Sequence, residues 1–267
     1  MQETYYSDKI SAINAKFEAQ KISFSPLSFQ AARALLELGI LRKVSDAGEK
    51  GMSREEIAAR TGVSEYGAGL LAEIALGMGL LKLLPPGESG GSGGERFILG
   101  KTGWFLLEDA MTAVNFNFVN DVCYKGAFDL AESIRMGKPL GLSVFGEQWK
   151  TIYQALSSLP EKAKKSWFDF DHFYSDIAFP DALPLVFASP ALAAGGRLFD
   201  IGGNTAKWAI TCCEYSSDVK VTIIDLPGQT EAARQNAQAA GFGNRIDVFP
   251  CDVLDKETIF PSGADAI

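Results

Sequence analysis

The stretch Arg197-Leu198-Phe199-Asp200-Ile201-Gly202-Gly203-Asn204-Thr205-Ala206 decides the fold. Its first half is a short apolar run suited to a buried strand. Its second half is a glycine turn that opens a helix over residues 206–215. Glycines at such a turn let the backbone approach a ligand, and the next helix points its first amides at the same place. Downstream, residues 219–225 read as a strand by their β-branched content. Residues 229–240 read as a helix closed by Gly241, and residues 245–249 as a third strand. Strand, helix, strand, helix, strand predicts a parallel, doubly wound sheet. Ala264-Asp265-Ala266-Ile267 reads as the opening of a fourth strand. The expectation is therefore a chain truncated within that sheet, since a sheet cut there leaves a raw edge.

Three carboxylates sit at the ends of the three strands: Asp200, Asp225 and Asp252. Aspartates commonly end strands as turn residues. Three at successive strand ends, on the ligand side of one sheet, favour a binding role. The dinucleotide pattern G-x-G-x-x-G is absent, but Asp225 lies 23 residues beyond Gly202, where a carboxylate can take both hydroxyls of a ribose.

Upstream of the sheet the period changes. Ala31, Ala34, Leu35, Leu38 and Leu41 fall on one helical face. Ser53-Arg54-Glu55-Glu56 is a capping box opening a short helix that stops at Gly62. Ser64 caps another helix, with Leu70, Leu71, Ile74, Ala75 and Met78 expected inward. Residues 80–84 and 96–99 read as strands flanking a glycine-serine tip. Three helices and a hairpin predict a winged helix. Residues 111–187 are helical and rich in aromatics, most of which packing explains.

The chain has 267 residues, 33 acidic and 25 basic, for a net charge of −8, and 47% of it is apolar. Those values exclude a disordered chain. They argue against an extended phosphate-binding surface. No apolar run reaches the ~18 residues of a membrane span, and the first residues lack the pattern of a signal peptide. Cys123, Cys212, Cys213 and Cys251 form no C-x-x-C pair and His172 is the single histidine, so no structural zinc site of usual spacing is expected. A reduced, cytoplasmic protein is the simplest reading. A winged helix invites a transcriptional-regulator reading, which the charges oppose. Between Pro26 and Trp104 there are nine basic and nine acidic residues, and the helix that would enter a groove has no Lys or Arg.

Taken together, these motifs resemble the S-adenosylmethionine-dependent O-methyltransferases that act on plant phenolics, acetylserotonin and bacterial polyketides. Residues 199–206 are similar to that family's V-D-V-G-G-G-T-G, Ile224-Asp225-Leu226-Pro227 to its F-D-L-P, and Pro250-Cys251-Asp252-Val253 to its strand-ending acidic motif. Residues 32–41 and 56–63 resemble its amino-terminal helices, so the likeness covers nearly the whole chain. It implies a mostly helical winged-helix dimerisation domain (1–110), a helical connector lining the site (111–187) and part of a Rossmann-like class I methyltransferase domain (188–267). It further implies S-adenosylmethionine as cofactor, a small hydroxylated aromatic or polyketide-like acceptor, a homodimer, and neither nucleic-acid nor membrane binding. Asp225 and Leu226 would hold the ribose side, and Asp252 and Val253 the adenine side. Asp200, Gly202 and Gly203 would shape the pocket for the methionine part, and Phe173 and Tyr174, on a helix lining cofactor and acceptor, would form a substrate or cofactor wall. Two positions depart from the pattern: Asn204 and Ala206 stand where the family carries glycine. The family's catalytic histidine would fall beyond Ile267, and His172 does not carry over to that role. The alternative is a non-catalytic dimeric relative or a truncated ligand-binding protein.

Overall fold

The computed structural model describes residues 8–85, 94–146 and 149–267. Two compact units divide the chain, Met1–Ala113 and Val114–Ile267.

The first unit is helical with a small hairpin. Helix α1 (Ala12–Glu37) starts at Ser11, whose side chain accepts the Asn14 amide, and buries Ala31, Ala32 and Leu35 near its far end. The apolar face read across Ala31 to Leu41 does not belong to one helix. Gly39 takes φ 70° and the chain restarts as α2 (Ile40–Ala47), with Ile40, Leu41 and Val44 buried. A left-handed glycine ends a helix at no steric cost, and the apolar spacing that runs on past it hides the break. Helix α3 (Arg54–Thr61) carries the expected capping box: the Glu56 amide donates to Ser53 Oγ and the Ser53 amide to Glu56 Oε2. Arg96 also bonds Glu56 Oε2, at 2.7 Å, tying the hairpin to that cap. Helix α4 (Glu65–Gly77) is capped by Ser64 but faces inward through Ala68, Gly69, Ala72 and Ala75, while Leu70 is exposed. The reason is close packing: a Cβ on Gly69 would lie 2.6 Å from Arg54 Cδ, so small residues face α3. Strands β1 (Leu81–Leu83) and β2 (Phe97–Leu99) pair antiparallel, Lys82 opposite Ile98, and Met52 bridges to Phe97. Of the glycine-serine tip expected between them, residues 86–93 lie outside the described residues.

The second unit begins with helices and ends in a sheet. Val122, Ala155, Leu156, Leu159 and Ala163 form a small core joined by Trp149 and Trp167. Strands β3 (Arg197–Ile201), β4 (Lys220–Asp225) and β5 (Ile246–Pro250) run parallel in the order β3-β4-β5. Helices α5 (Lys207–Tyr215) and α6 (Pro227–Ala239) make the crossovers. Leu198, Val219, Val221, Ile223, Cys212, Ala233 and Ile246 bury the sheet's inner face. On its other side β3 bonds the chain near Ala266: Phe199 donates to the Ala266 carbonyl at 3.0 Å, and Leu198 and Ala266 form a parallel bridge. The chain therefore leaves β3 toward β4 and β5 on one side and returns on the other. Beyond strand ends at such a reversal, an open α/β sheet forms its ligand crevice.

The fold is a helical amino-terminal domain followed by an α/β domain on a parallel, Rossmann-like sheet.

Candidate functional site

The glycine turn leaves β3 with Gly202 at φ 76°, Asn204 at φ 49° and Ala206 at φ 68°. The two positions that depart from glycine thus still take left-handed backbone. Asparagine tolerates this conformation, whereas alanine does so at a cost of roughly 1–2 kcal/mol. The turn is held from several sides. The Gly202 amide donates to the Ile224 carbonyl at 2.8 Å and the Asn204 amide to Asp225 Oδ2 at 2.9 Å. Asn236 Nδ2 donates to the Thr205 carbonyl at 2.9 Å. From the helix Glu161–Ser175, Asp171 Oδ2 accepts the Asn204 side-chain amide at 3.1 Å, and His172 Nε2 meets Thr205 Oγ1 at 2.9 Å. The other nitrogen of His172 faces Asp176, so both are engaged in holding this corner.

Gly203 is glycine for want of space. A Cβ there would stand 2.4 Å from Asp200 Oδ2 and 2.9 Å from Ile223 Cγ2. Beneath it Asp200 Oδ2 is buried without a hydrogen bond, as is Asn204 Oδ1. Burial, reinforced by the charge of Asp225, pushes the Asp200 carboxyl up to about 6. Asp225 itself accepts the Leu226 amide on Oδ1 at 2.7 Å.

A cavity of about 410 Å³ opens beside the turn. Gly202, Asp225, Leu226, Asp252 and Val253 line it, and five expected site residues thereby meet in one place. Asp200 and Gly203 lie against one another next to this lining. Phe173 and Tyr174 do not line the cavity. Tyr174 donates to Asn115 Oδ1 at 2.9 Å and packs on Phe170, while the helix turns Trp167 and Asp171, four residues apart, toward the cavity instead. Tyr174 shares the helical face of Trp167 but lies one turn beyond Asp171, where it packs on Phe170. The i, i+4 spacing of Trp167 and Asp171 was readable, but which face turns inward is set by tertiary packing. Gln229 and Cys251 also line the cavity. Among the described residues, Asp171, Asp200, Asp225 and Asp252 make no ion pair, and no Lys or Arg lines the cavity. No group of His, Cys, Asp and Glu among the described residues is gathered to hold a metal ion.

A parallel sheet with a glycine turn, a carboxylate at or just beyond the end of each strand and a crevice at the strand reversal is the fold of the S-adenosylmethionine-dependent methyltransferases. Comparison with known proteins agrees. Residues 16–84 match the Dimerisation2-like domain. Over 254 residues, 92% of this chain, the sequence is 23% identical to the L-tyrosine C(3)-methyltransferase of Streptomyces lavendulae. The chain spans 63% of that relative's length. The solved structure of the mitomycin 7-O-methyltransferase MmcR matches with a TM-score of 0.64 at 20% identity, covering 95% of this chain and 69% of the other. Human N-acetylserotonin methyltransferase, solved with S-adenosylmethionine, matches with a TM-score of 0.57 at 18% identity, covering 95% and 70%. The resemblance read from the motifs is thus matched by the fold, with a dimerisation-type domain ahead of it.

Proposed function

We propose that the protein is a methyltransferase that binds S-adenosylmethionine in the 410 Å³ cavity and methylates a hydroxyl of a small aromatic or polyketide-like metabolite. The observation that carries this is the charge of the cavity: Asp171, Asp225 and Asp252 line it, Asp200 feels the charge of Asp225, and among the described residues no Lys or Arg lines it. A ligand there must bring positive charge and hydrogen-bond donors. A dinucleotide brings phosphates and is disfavoured by the same set. S-adenosylmethionine brings a sulfonium, an ammonium and two ribose hydroxyls.

The residues present fit that group. Asp225 has spare lone pairs for ribose hydroxyls after taking two amides, because an ionised carboxylate offers about four acceptor sites. Gly202 has open space where a side chain would stand. Asp252 and Val253 would hold the base, and the Trp167 ring offers a face to a cation. When bound, the cofactor supplies an electrophilic methyl group. What this chain contributes is placement, since in-line transfer needs the acceptor oxygen about 3 Å from the methyl carbon, together with exclusion of water from the cavity. His172, with both nitrogens engaged, is assigned to positioning the turn and not to proton transfer. A homodimer through the first unit and a reducing, cytoplasmic setting complete the reading. Exposed apolar residues on α1 support the dimer, and four free cysteines the compartment. Among the described residues no helix is long and apolar enough to cross a membrane.

A second reading follows from the tyrosine C(3)-methyltransferase relative: transfer to a ring carbon next to a phenolic hydroxyl. Incubation with methyl-labelled S-adenosylmethionine and a panel of hydroxylated aromatics, followed by mass spectrometry and NMR, separates the readings. Label on oxygen supports the first, and label on ring carbon the second. Calorimetry with no heat of binding for S-adenosylmethionine or its demethylated product rejects both.

A further inference from the structure

We infer that Asp171 is a ligand-binding residue that receives the ammonium group of the cofactor's amino-acid portion. The inference rests on the cofactor reading above and assigns a residue that the family motifs do not contain. Asp171 projects from the helix Glu161–Ser175 into the cavity wall beside Asn204 of the glycine turn. Its Oδ2 is committed to the Asn204 amide at 3.1 Å, and its Oδ1 has no hydrogen bond among the described residues. The lysines of the same helix are spoken for: Lys162 pairs with Asp121, Lys164 with Glu161 and Lys165 with Asp169. Asp171 thus presents one unclaimed carboxylate oxygen at the cavity wall, with its other oxygen fixed by Asn204.

The kind of cation follows from the geometry. A sulfonium has no N–H or O–H and needs only a polarisable or negative surface nearby. A carboxylate with one oxygen fixed and the other free is a directional acceptor, and the ammonium is the cationic group that donates to it. Asparagine at 204 has a reason in the same terms. Glycine suits the backbone there better, but only a side-chain amide fixes the Asp171 carboxylate. The pair Asn204 and Asp171 therefore moves part of the recognition of the amino-acid end from the turn's backbone to a side chain across the cavity.

Asp171→Asn tests this, because asparagine keeps an oxygen to accept the Asn204 amide while removing the charge. The affinities of S-adenosylmethionine, S-adenosylhomocysteine and 5′-methylthioadenosine are measured by calorimetry at pH 7.5. The last ligand keeps the nucleoside and lacks the amino-acid end. The expected result is a loss of about tenfold or more for the first two ligands and a change within about twofold for the third. The unchanged third ligand also shows that the cavity is intact. Equal weakening of all three makes Asp171 a structural support and overturns the inference, as does no change in any. Wild-type protein that binds none of the three fails earlier, at the cofactor reading, and takes this inference down with it.

Discussion

Asp200 and Asp225 are two carboxylates at neighbouring strand ends with opposite surroundings. Asp225 takes two backbone amides, while Asp200 has a buried oxygen with no donor. The carboxyl of Asp200 rises from 3.8 to about 6, chiefly through burial and then through Asp225. The folded protein therefore holds a proton that the unfolded chain has released between about pH 4 and 6, so the contribution of Asp200 to stability falls as pH rises through that window and is level above it. A rise of this size corresponds to about 3 kcal/mol as an upper figure. Asp200→Asn removes the charge, and its unfolding free energy at pH 7.5 should exceed wild type by about 1–3 kcal/mol. The difference should shrink toward pH 4. Urea denaturation at both pH values checks it, and an equal difference at the two would show that the carboxylate is not strained. Asp225→Ala should act differently. Loss of ribose contacts worth roughly 1.5–3 kcal/mol weakens S-adenosylmethionine by about 10- to 100-fold, and loss of the acceptor for Asn204 and Leu226 lowers the melting temperature as well. Under the proposed function turn-capping and ligand-binding are not rival roles, since they would use different lone pairs of one carboxylate. A variant that melts earlier yet binds with wild-type affinity in calorimetry well below its unfolding range leaves capping as the whole role.

The glycine turn shows two reasons for glycine side by side. Gly202 has room for a side chain but takes φ 76°, whereas Gly203 has a Cβ position 2.4 Å from Asp200 Oδ2. Gly202→Ala should cost about 1–2 kcal/mol through backbone strain, and Gly203→Ala about 1–3 kcal/mol through overpacking. Only the second cost should shrink in an Asp200→Ala background, because only there is the nearer clash partner removed, with Ile223 Cγ2 left in place. A double-mutant cycle by chemical denaturation reads the coupling, and additive costs at Gly203 would contradict the packing geometry. This element was also the most legible in the sequence. Strand, turn and helix chemistry are local, so the apolar run, the glycines and the strand-ending aspartates single out five residues that line one cavity. What escaped was non-local. Trp167 and Asp171 face the cavity because of how their helix lies against the sheet unit, which no period in the helix encodes. The break at Gly39 was hidden by apolar spacing that continues across two helices. Of the residues expected on the inward face of α4, Ala75 is buried and Leu71, Ile74 and Met78 are half-buried, but Leu70 is exposed because small residues, Ala68, Gly69 and Ala72, take the side next to Arg54.

At the scale of the whole molecule the informative surface is α1. Ile13, Phe17, Phe24 and Leu27 are 78%, 62%, 57% and 69% exposed, and at 100° per residue they form one stripe about 80° wide. The same stripe continues into Ala31 and Leu35, which are buried. A helix whose apolar stripe is covered at one end and bare over the preceding four turns lacks a partner surface, and a second copy of this chain is the partner that the match to the Dimerisation2-like domain supports. Ile22, 75% exposed, lies on the opposite side of the helix and is the internal control. In a twofold assembly each substituted position counts twice, and each buried large apolar side chain contributes roughly 1.5–3 kcal/mol. Phe17→Glu with Leu27→Glu should therefore raise the dimer dissociation constant by about 100-fold or more. Ile22→Glu should leave it within about threefold. Sedimentation equilibrium across nanomolar to micromolar protein, with circular dichroism to confirm that α1 remains helical, reads both. Wild-type protein that stays monomeric throughout would overturn the dimer itself, and an Ile22 variant that dissociates as readily as the double variant would place the contact somewhere other than this stripe.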